Sequence, residues 1–324
     1  MLRCEYHPGL VEQTTFLAAR RDPAAERALR AELEGAYGIG DPDLRDEQFA
    51  RIHGRWFVDL QLERHLDVLI AEQPLIGRRV DRCHVREAAG RRRENVELFV
   101  RTQRTQRVPS QPADTDGDAG VERTLIIDVC PETLLDQGRM GRWLRRELLK
   151  VADMLDAAFG YSPSLPAVHH ARQNLIRDRY RVLWDAYVEA RLRRTHPDTA
   201  SPSAGLRERF ERAFAHGGSL SSAASLDLLL QLTATTHPRL LEWALQPETL
   251  PGWQATASDP AHPPGELCPL CSFPTYDWYD FGNDRDRCLQ FAISQAQPAW
   301  HHDLGACRQC VETYAGMVER APTA

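Results

Sequence analysis

Lysine is almost missing from this sequence: of its 40 basic residues, only Lys150 is not arginine. Alongside abundant alanine, this reads as a nucleotide-composition bias of the source and says little about partners. No stretch approaches the ~18 consecutive apolar residues of a membrane-spanning helix, which argues against a membrane protein. The opening MLRCEYHPGLVEQ lacks the apolar run of a secretory signal, so a cytoplasmic location is expected. No glycine-rich phosphate loop is present, because Gly35, Gly38 and Gly40 in EGAYGIGD follow no strand and match neither phosphate-binding fingerprint. No G-x-S-x-G nucleophile elbow occurs either. Positive charge is not in excess. A net charge of −6 excludes a generic polyanion binder, so nucleic-acid binding would need a local basic patch.

What remains is an ordinary globular composition, 42% hydrophobic and 27% charged, in 324 residues, enough for a large domain plus a smaller module. Residues 23–71 carry apolar positions at helical spacing, in AERALRAELEGAY and in FARIHGRWFVDLQLERHLDVLI. From 79 to 130 the segments RVDRCHV, NVELFVR and RTLIIDV are short and rich in valine and isoleucine, and they predict three strands. PSQPADTDGDAG, between the second and third, reads as a mobile loop. Further helices are expected near 139–158, 171–194, 206–215, 220–232 and 237–246. The Pro-rich stretch within 247–266 is the best linker candidate. The expected fold is α+β: a mostly helical main domain over 1–250 with a small antiparallel sheet, a linker at 251–265, and a zinc ribbon at 266–324.

Eight cysteines in a chain expected to be cytoplasmic point to metal or buried thiols rather than disulfides. Cys4, Cys83, Cys130 and Cys288 are scattered, and Cys130 with a distant histidine is too weak a signal for a thiol enzyme. The other four form two knuckles, Cys268-Pro-Leu-Cys271 and Cys307-Arg-Gln-Cys310. Each offers two thiolates to one ion, and together they complete the tetrahedral sulfur shell that suits structural zinc, one per chain. The 35 residues between the pairs exceed the ~15–20 of the common finger spacing and leave room for a helix, for which DRDRCLQFAISQ is suited. A redox-active cysteine pair and a rubredoxin-type iron centre are the competing readings. Four sulfurs leave no open position, so this metal is expected to be structural, with His301, His302 and Cys288 outside its shell. Between 266 and 310 six acidic residues (Glu266, Asp277, Asp280, Asp284, Asp286, Asp303) face only Arg285, Arg287 and Arg308. Phosphate contact needs the opposite balance. The dense aromatics there, among them Phe273, Trp278, Tyr279, Phe281, Phe291 and Trp300, suit a small core and, where exposed, a protein partner.

The second signal is the helix RMGRWLRRELLKVADMLDAAF. Met140, Trp143, Leu144, Leu148, Val151, Met154, Leu155 and Ala158 form one apolar face. Glu147 falls inside that arc, about 20° from Met140 and about 40° from Val151. A carboxylate buried there is costly unless paired or working. Arg146-Glu147-Leu148-Leu149-Lys150 is the frame left when both histidines of H-E-x-x-H are replaced; in the intact motif the histidines bind zinc and the glutamate is the general base. Chance is the bland explanation, since any long Arg/Glu-rich helix can produce R-E-x-x-K. The stretch RRELLKVADMLDAAFGYSPSLP, the later LIRDRYRVLWDAYVEARL and the closing CPLCSFPTYDW…GACRQC together resemble an uncharacterised bacterial family over most of the chain from about residue 45. That resemblance implies a zincin-metallopeptidase-like domain with a C-terminal paired-cysteine ribbon. It also implies that Glu147 is a relic base and that Arg146 and Lys150 stand where the metal ligands would be. Two cations at those positions repel zinc, so this chain is expected to be catalytically degenerate.

The alternative is an active metal-dependent hydrolase with non-standard ligands drawn from His84, Glu87, His169, His170, Asp185 or Glu189. A third reading is a nucleic-acid binder using the hairpin from Arg78 to Arg107, where ten arginines oppose Asp81, Glu87, Glu94 and Glu97. Phe99 is the lone aromatic there, so base stacking is not supported, and a solvated face is the simpler account. The expected function is therefore protein binding by a degenerate metallopeptidase-like zinc-ribbon protein, with no membrane and no nucleic acid.

Overall fold

A computed structural model describes residues 2–102, 120–164, 170–197, 205–214, 219–253, 262, 266–275, 277–282 and 286–319. The loop at 109–120 apart from Gly120, the end of the arginine stretch at 103–107, His169 and most of the 251–265 linker lie outside the described residues. The chain forms two compact units, Met1–Tyr161 with His196–Ala200, and Ser162–Thr195 with Ser201–Ala324. These divide at a different place from the composition boundary at 250.

The first unit runs β1 (Cys4–Tyr6), α1 (Pro8–Ala19), α2 (Pro23–Tyr37), α3 (Pro42–Asp59), α4 (Arg64–Ala71), α5 (Pro74–Arg79), β2 (Arg82–Glu87), β3 (Asn95–Thr102), β4 (Val121–Val129), α6 (Pro131–Leu134) and α7 (Gln137–Leu155). Its helix starts follow local chemistry. Asp22 and Asp41 each precede a proline that opens the helix, and their carboxylates accept from the N–H of Ala24 at 2.9 Å and of Asp43 at 2.9 Å. Asp136 caps α7 in the same way through the N–H of Arg139 at 3.0 Å.

The α+β class holds, mostly helical with one small sheet in this unit. Strand order is β1-β2-β4-β3. The β3–β4 pair is antiparallel, whereas β1, β2 and β4 run parallel. Helices α1 to α5 carry the chain from β1 to its parallel neighbour β2, and β3, antiparallel to β4, lies in sequence between the parallel pair β2 and β4. On one face of the sheet Cys83, Val85, Leu125, Ile127 and Val129 are buried, and they share a core with Met140, Leu144, Leu148, Val151 and Leu155 of α7. A second cluster of Ala19, Leu29, Ala36 and Ile52 joins α1, α2 and α3.

Glu94, just before β3, ties the sheet to the start of α7. Its carboxylate accepts from the N–H of Cys130 at 3.3 Å and from Arg139 at 3.0 Å, with its side chain 4% exposed. Burial pushes this carboxyl up, but the bonds from Thr133, Arg139 and Cys130 outweigh burial and hold it below the usual value. A folded value below the unfolded one makes the stabilisation complete above the ordinary carboxylate range and removes it as pH falls through the folded value. Glu94→Gln is therefore expected to cost about 1–3 kcal/mol at neutral pH. In denaturant melts the gap from wild type should close as pH falls through and below the ordinary carboxylate range. A gap that stays constant with pH would show that the charge is not what stabilises.

The second unit is built on the long α8 (His170–Thr195), followed by α9 (Leu206–Ala213), α10 (Ser219–Leu229) and α11 (His237–Leu245). Next come the two-residue strands β5 (Glu266–Leu267) and β6 (Pro274–Thr275), then α12 (Arg287–Ala296) and α13 (Arg308–Glu319). α8 is buried on several sides, through Val182, Leu183, Ala186, Val188 and Ala190, because α9, α10, α11 and β5 all pack on it. Arg172 reaches from α8 to Glu266 of β5 at 3.1 Å. Among the described residues no helix is long and apolar enough to cross a membrane.

Candidate metal centre

Cys268 follows β5 directly, in the turn that carries the chain to β6. Its N–H donates to Phe273 O at 2.8 Å and its carbonyl accepts from Ser272 N at 2.7 Å. Ser272 takes a left-handed backbone with φ 59°, which closes the knuckle and returns Cys271 toward Cys268. The second knuckle is built differently. Cys307 pairs with Trp278 in an isolated bridge, and α13 begins at the next residue, so Cys310 lies within its first turn.

The folding of this segment brings the two knuckles face to face. The four Sγ atoms of Cys268, Cys271, Cys307 and Cys310 lie within 4.8 Å of one another, and this group can hold a metal ion. Cys268 to Cys310 and Cys271 to Cys307 are both 3.9 Å. A regular tetrahedron with metal–sulfur bonds of about 2.3 Å has edges of about 3.8 Å, so the donor set fits a single ion of that bond length. Cys268 and Cys307 are buried, while Cys271 and Cys310 are half-buried.

Backbone N–H groups prepare the site for negative sulfur. The N–H of Cys307 points at Cys268 Sγ at 3.3 Å, and that of Cys310 at Cys307 Sγ at 3.4 Å. Burial raises Cys268, but N–H bonds from Cys307, Cys271 and Leu270 outweigh it and hold the thiol below its ordinary value. Burial pushes Cys307 and Cys310 up. Cys268 is thus held toward its thiolate while Cys307 and Cys310 resist ionisation, and a metal ion held there would supply the positive charge that favours their thiolates.

Around the cluster stands a small core of Ile293, Trp300, Ala306 and Val311, fringed by Tyr279, Phe281 and Leu270. Arg308 and Asp277 pair at 3.0 Å beside the second knuckle. His301 and His302 are exposed and face Asp303 at 3.6 and 3.1 Å, and Cys288 is exposed. None of these three joins the sulfur group.

The α7 frame is arranged in another way. Arg146, Glu147 and Lys150 are all half-buried, and Lys150 Nζ sits 3.3 Å from Glu147. Leu144 and Leu148 take the core positions, so Glu147 lies at the edge of the apolar arc instead of within the packed interior. The residues considered as substitute ligands are dispersed among local partners. His84 faces Glu5 at 3.2 Å, Glu87 accepts from Gln13, Asp185 pairs with Arg209 at 3.0 Å, and Glu189 with Arg193 at 3.5 Å. Among the described residues, the four cysteines form the one group of three or more histidine, cysteine or carboxylate ligands close enough to share an ion.

No family model, curated protein or solved structure matches the chain. The site therefore rests on its own geometry. In the arginine stretch, Arg82 pairs with Glu122 at 3.2 Å, Arg86 with Asp128 at 2.8 Å, and Arg79 donates to Leu155 O at 3.1 Å. One juxtaposition has no signature in the sequence. Cys4 and Cys83, 79 positions apart, meet across β1 and β2, and only the strand register brings them together.

Proposed function

We propose that this chain is a zinc-ribbon protein on a metallopeptidase-like frame that has lost its catalytic metal, and that it acts by binding another protein. The observation that carries the reading is the convergence of four sulfurs within 4.8 Å. A tetrahedral all-sulfur shell favours zinc, and it leaves no position open for water or substrate. Zinc held in this way is structural. Supporting the degenerate frame is Lys150, which stands at the second ligand position of the α7 motif and faces Glu147. A lysine ammonium there neutralises the carboxylate that would otherwise act as base and repels a divalent ion. Phe273 and Phe291 are 71% and 66% exposed, and exposed aromatics in a segment rich in acidic residues support this end of the chain as the face that meets a protein partner.

The test is metal content per chain by elemental analysis of purified protein, wild type beside Cys268→Ser/Cys271→Ser. One zinc in the wild type, lost in the double variant, is the expected result. Iron in place of zinc would replace the ribbon with a rubredoxin-type centre. A second metal that survives the double substitution would overturn the degenerate reading and point to a working hydrolase.

A further inference from the structure

β1 and β2 pair in parallel with Cys4 directly opposite Cys83, so the two side chains leave the same face of the sheet. Their Sγ atoms are 3.1 Å apart. Adjacent strands lie about 4.8 Å apart, and a disulfide spans Cα separations of roughly 4.4–6.8 Å. The pair can therefore close without moving the backbone far. Access is unequal. Cys83 is buried at 1% exposure, whereas Cys4 is partly exposed and lines a cavity of about 570 Å³ with Tyr6, Phe57, Glu63 and Asp67. Two polar atoms of that lining, Tyr6 Oη and Glu63 Oε2, are buried without a hydrogen-bond partner. Buried polar atoms usually find partners in the protein or in an occupant of the space they line. Neither thiol belongs to the four-cysteine centre.

We propose that Cys4 and Cys83 form a thiol–disulfide exchange site that takes small organic disulfides through this cavity. Cys4 is the attacking sulfur because it is the one the cavity reaches. Its thiolate attacks one sulfur of RSSR, the S–S bond breaks, and a mixed disulfide Cys4–S–S–R forms as RS⁻ leaves. Cys83 then attacks the Cys4 sulfur, the mixed disulfide breaks, and the second RS⁻ leaves. The two protons of the protein thiols end on the released thiols, so two protein thiols and RSSR give one protein disulfide and two RSH. The small disulfide is the oxidant and is reduced. The Cys4 contact and burial push the Cys83 thiol up, so Cys83 stays protonated while Cys4 attacks and gives its proton to the released RS⁻ as it resolves the intermediate. Tyr6 can donate a hydrogen bond to an occupant and Glu63 can accept one. With Glu63 and Asp67 against Arg3 in the lining, the cavity suits a neutral or cationic disulfide better than an anionic one.

The experiment uses the full chain with its metal bound, treated with 2-hydroxyethyl disulfide, quenched by alkylation and mapped by peptide mass spectrometry. The expected result is a Cys4–Cys83 cross-link, which blocks both of those thiols to alkylation, while exposed Cys288 is blocked separately as a mixed disulfide with the reagent. Cys83→Ser should trap the mixed disulfide on Cys4, and Cys4→Ser should leave Cys83 unmodified until the protein is unfolded. Recovery of Cys4 and Cys83 as free thiols, or as two separate mixed disulfides, under conditions that modify Cys288 would overturn the proposal. If either variant fails to fold, the wild-type map still decides.

Discussion

Stripping the metal from the four-cysteine centre is expected to unfold the segment around it and leave the sheet of the first unit intact. The reason is the small size of what else holds that segment. Its buried core is four side chains, Ile293, Trp300, Ala306 and Val311. Strands β5 and β6 contribute two residue pairs, and one of those residues is Pro274, which has no N–H to give. A core of this size needs a staple. In small zinc domains the metal supplies on the order of 10 kcal/mol, far more than four apolar side chains can replace. Hydrogen exchange of the chelated protein should show amides of α12 and α13 losing protection, with those of β2, β3 and β4 unchanged. Retention should also weaken as pH falls, because binding requires thiolates and Cys307 and Cys310 resist ionisation. Protection of α12 and α13 that survives complete metal removal would mean that the aromatic core is sufficient alone.

Much of this was legible from local signals. The two C-x-x-C pairs are short-range features whose geometry is set by the knuckle itself, so only their meeting had to be inferred, and the sulfur shell made that inference firm. The helical character of 23–71 was legible from its apolar spacing, while its division into separate helices that start after Asp22 and Asp41 came from the structure. The segments 171–194 and 206–215 fall almost on α8 and α9. What stayed hidden was decided by long-range pairing. β1 is three residues long, too short for alternation to register, yet it sets the sheet edge and places Cys4 against Cys83. The parallel direction of β1, β2 and β4 is a property of the connections, not of any one strand. α1 was missed because its buried side includes Thr14 and Thr15 beside Leu10 and Ala19, and a helical stripe that is half hydroxyl does not read as apolar.

Glu147 shows the same limit at the candidate motif, and its neighbour Leu148 supplies the other large effect. Leu148 has no exposed surface and packs with Leu125, Ile127 and Leu144 between α7 and the sheet. Leu148→Ala removes its contacts and leaves a cavity, at a cost of about 2–5 kcal/mol. Glu147, one residue earlier, keeps 24% of its side chain exposed and pairs with a Lys150 that is 21% exposed. For such a partly solvated pair Glu147→Gln is expected to cost no more than about 1 kcal/mol. Denaturant melts should be followed with a probe in the sheet unit, since two compact units need not unfold together. Metal content should be the same in both variants and in wild type. This contrast separates the two accounts of α7. If the helix is only a packed element with a degenerate frame, stability follows Leu148 and nothing measurable follows the Glu147 charge. If Glu147→Gln instead costs as much as Leu148→Ala, or changes the metal bound, the carboxylate is holding something in the main domain that the Lys150 pair does not account for.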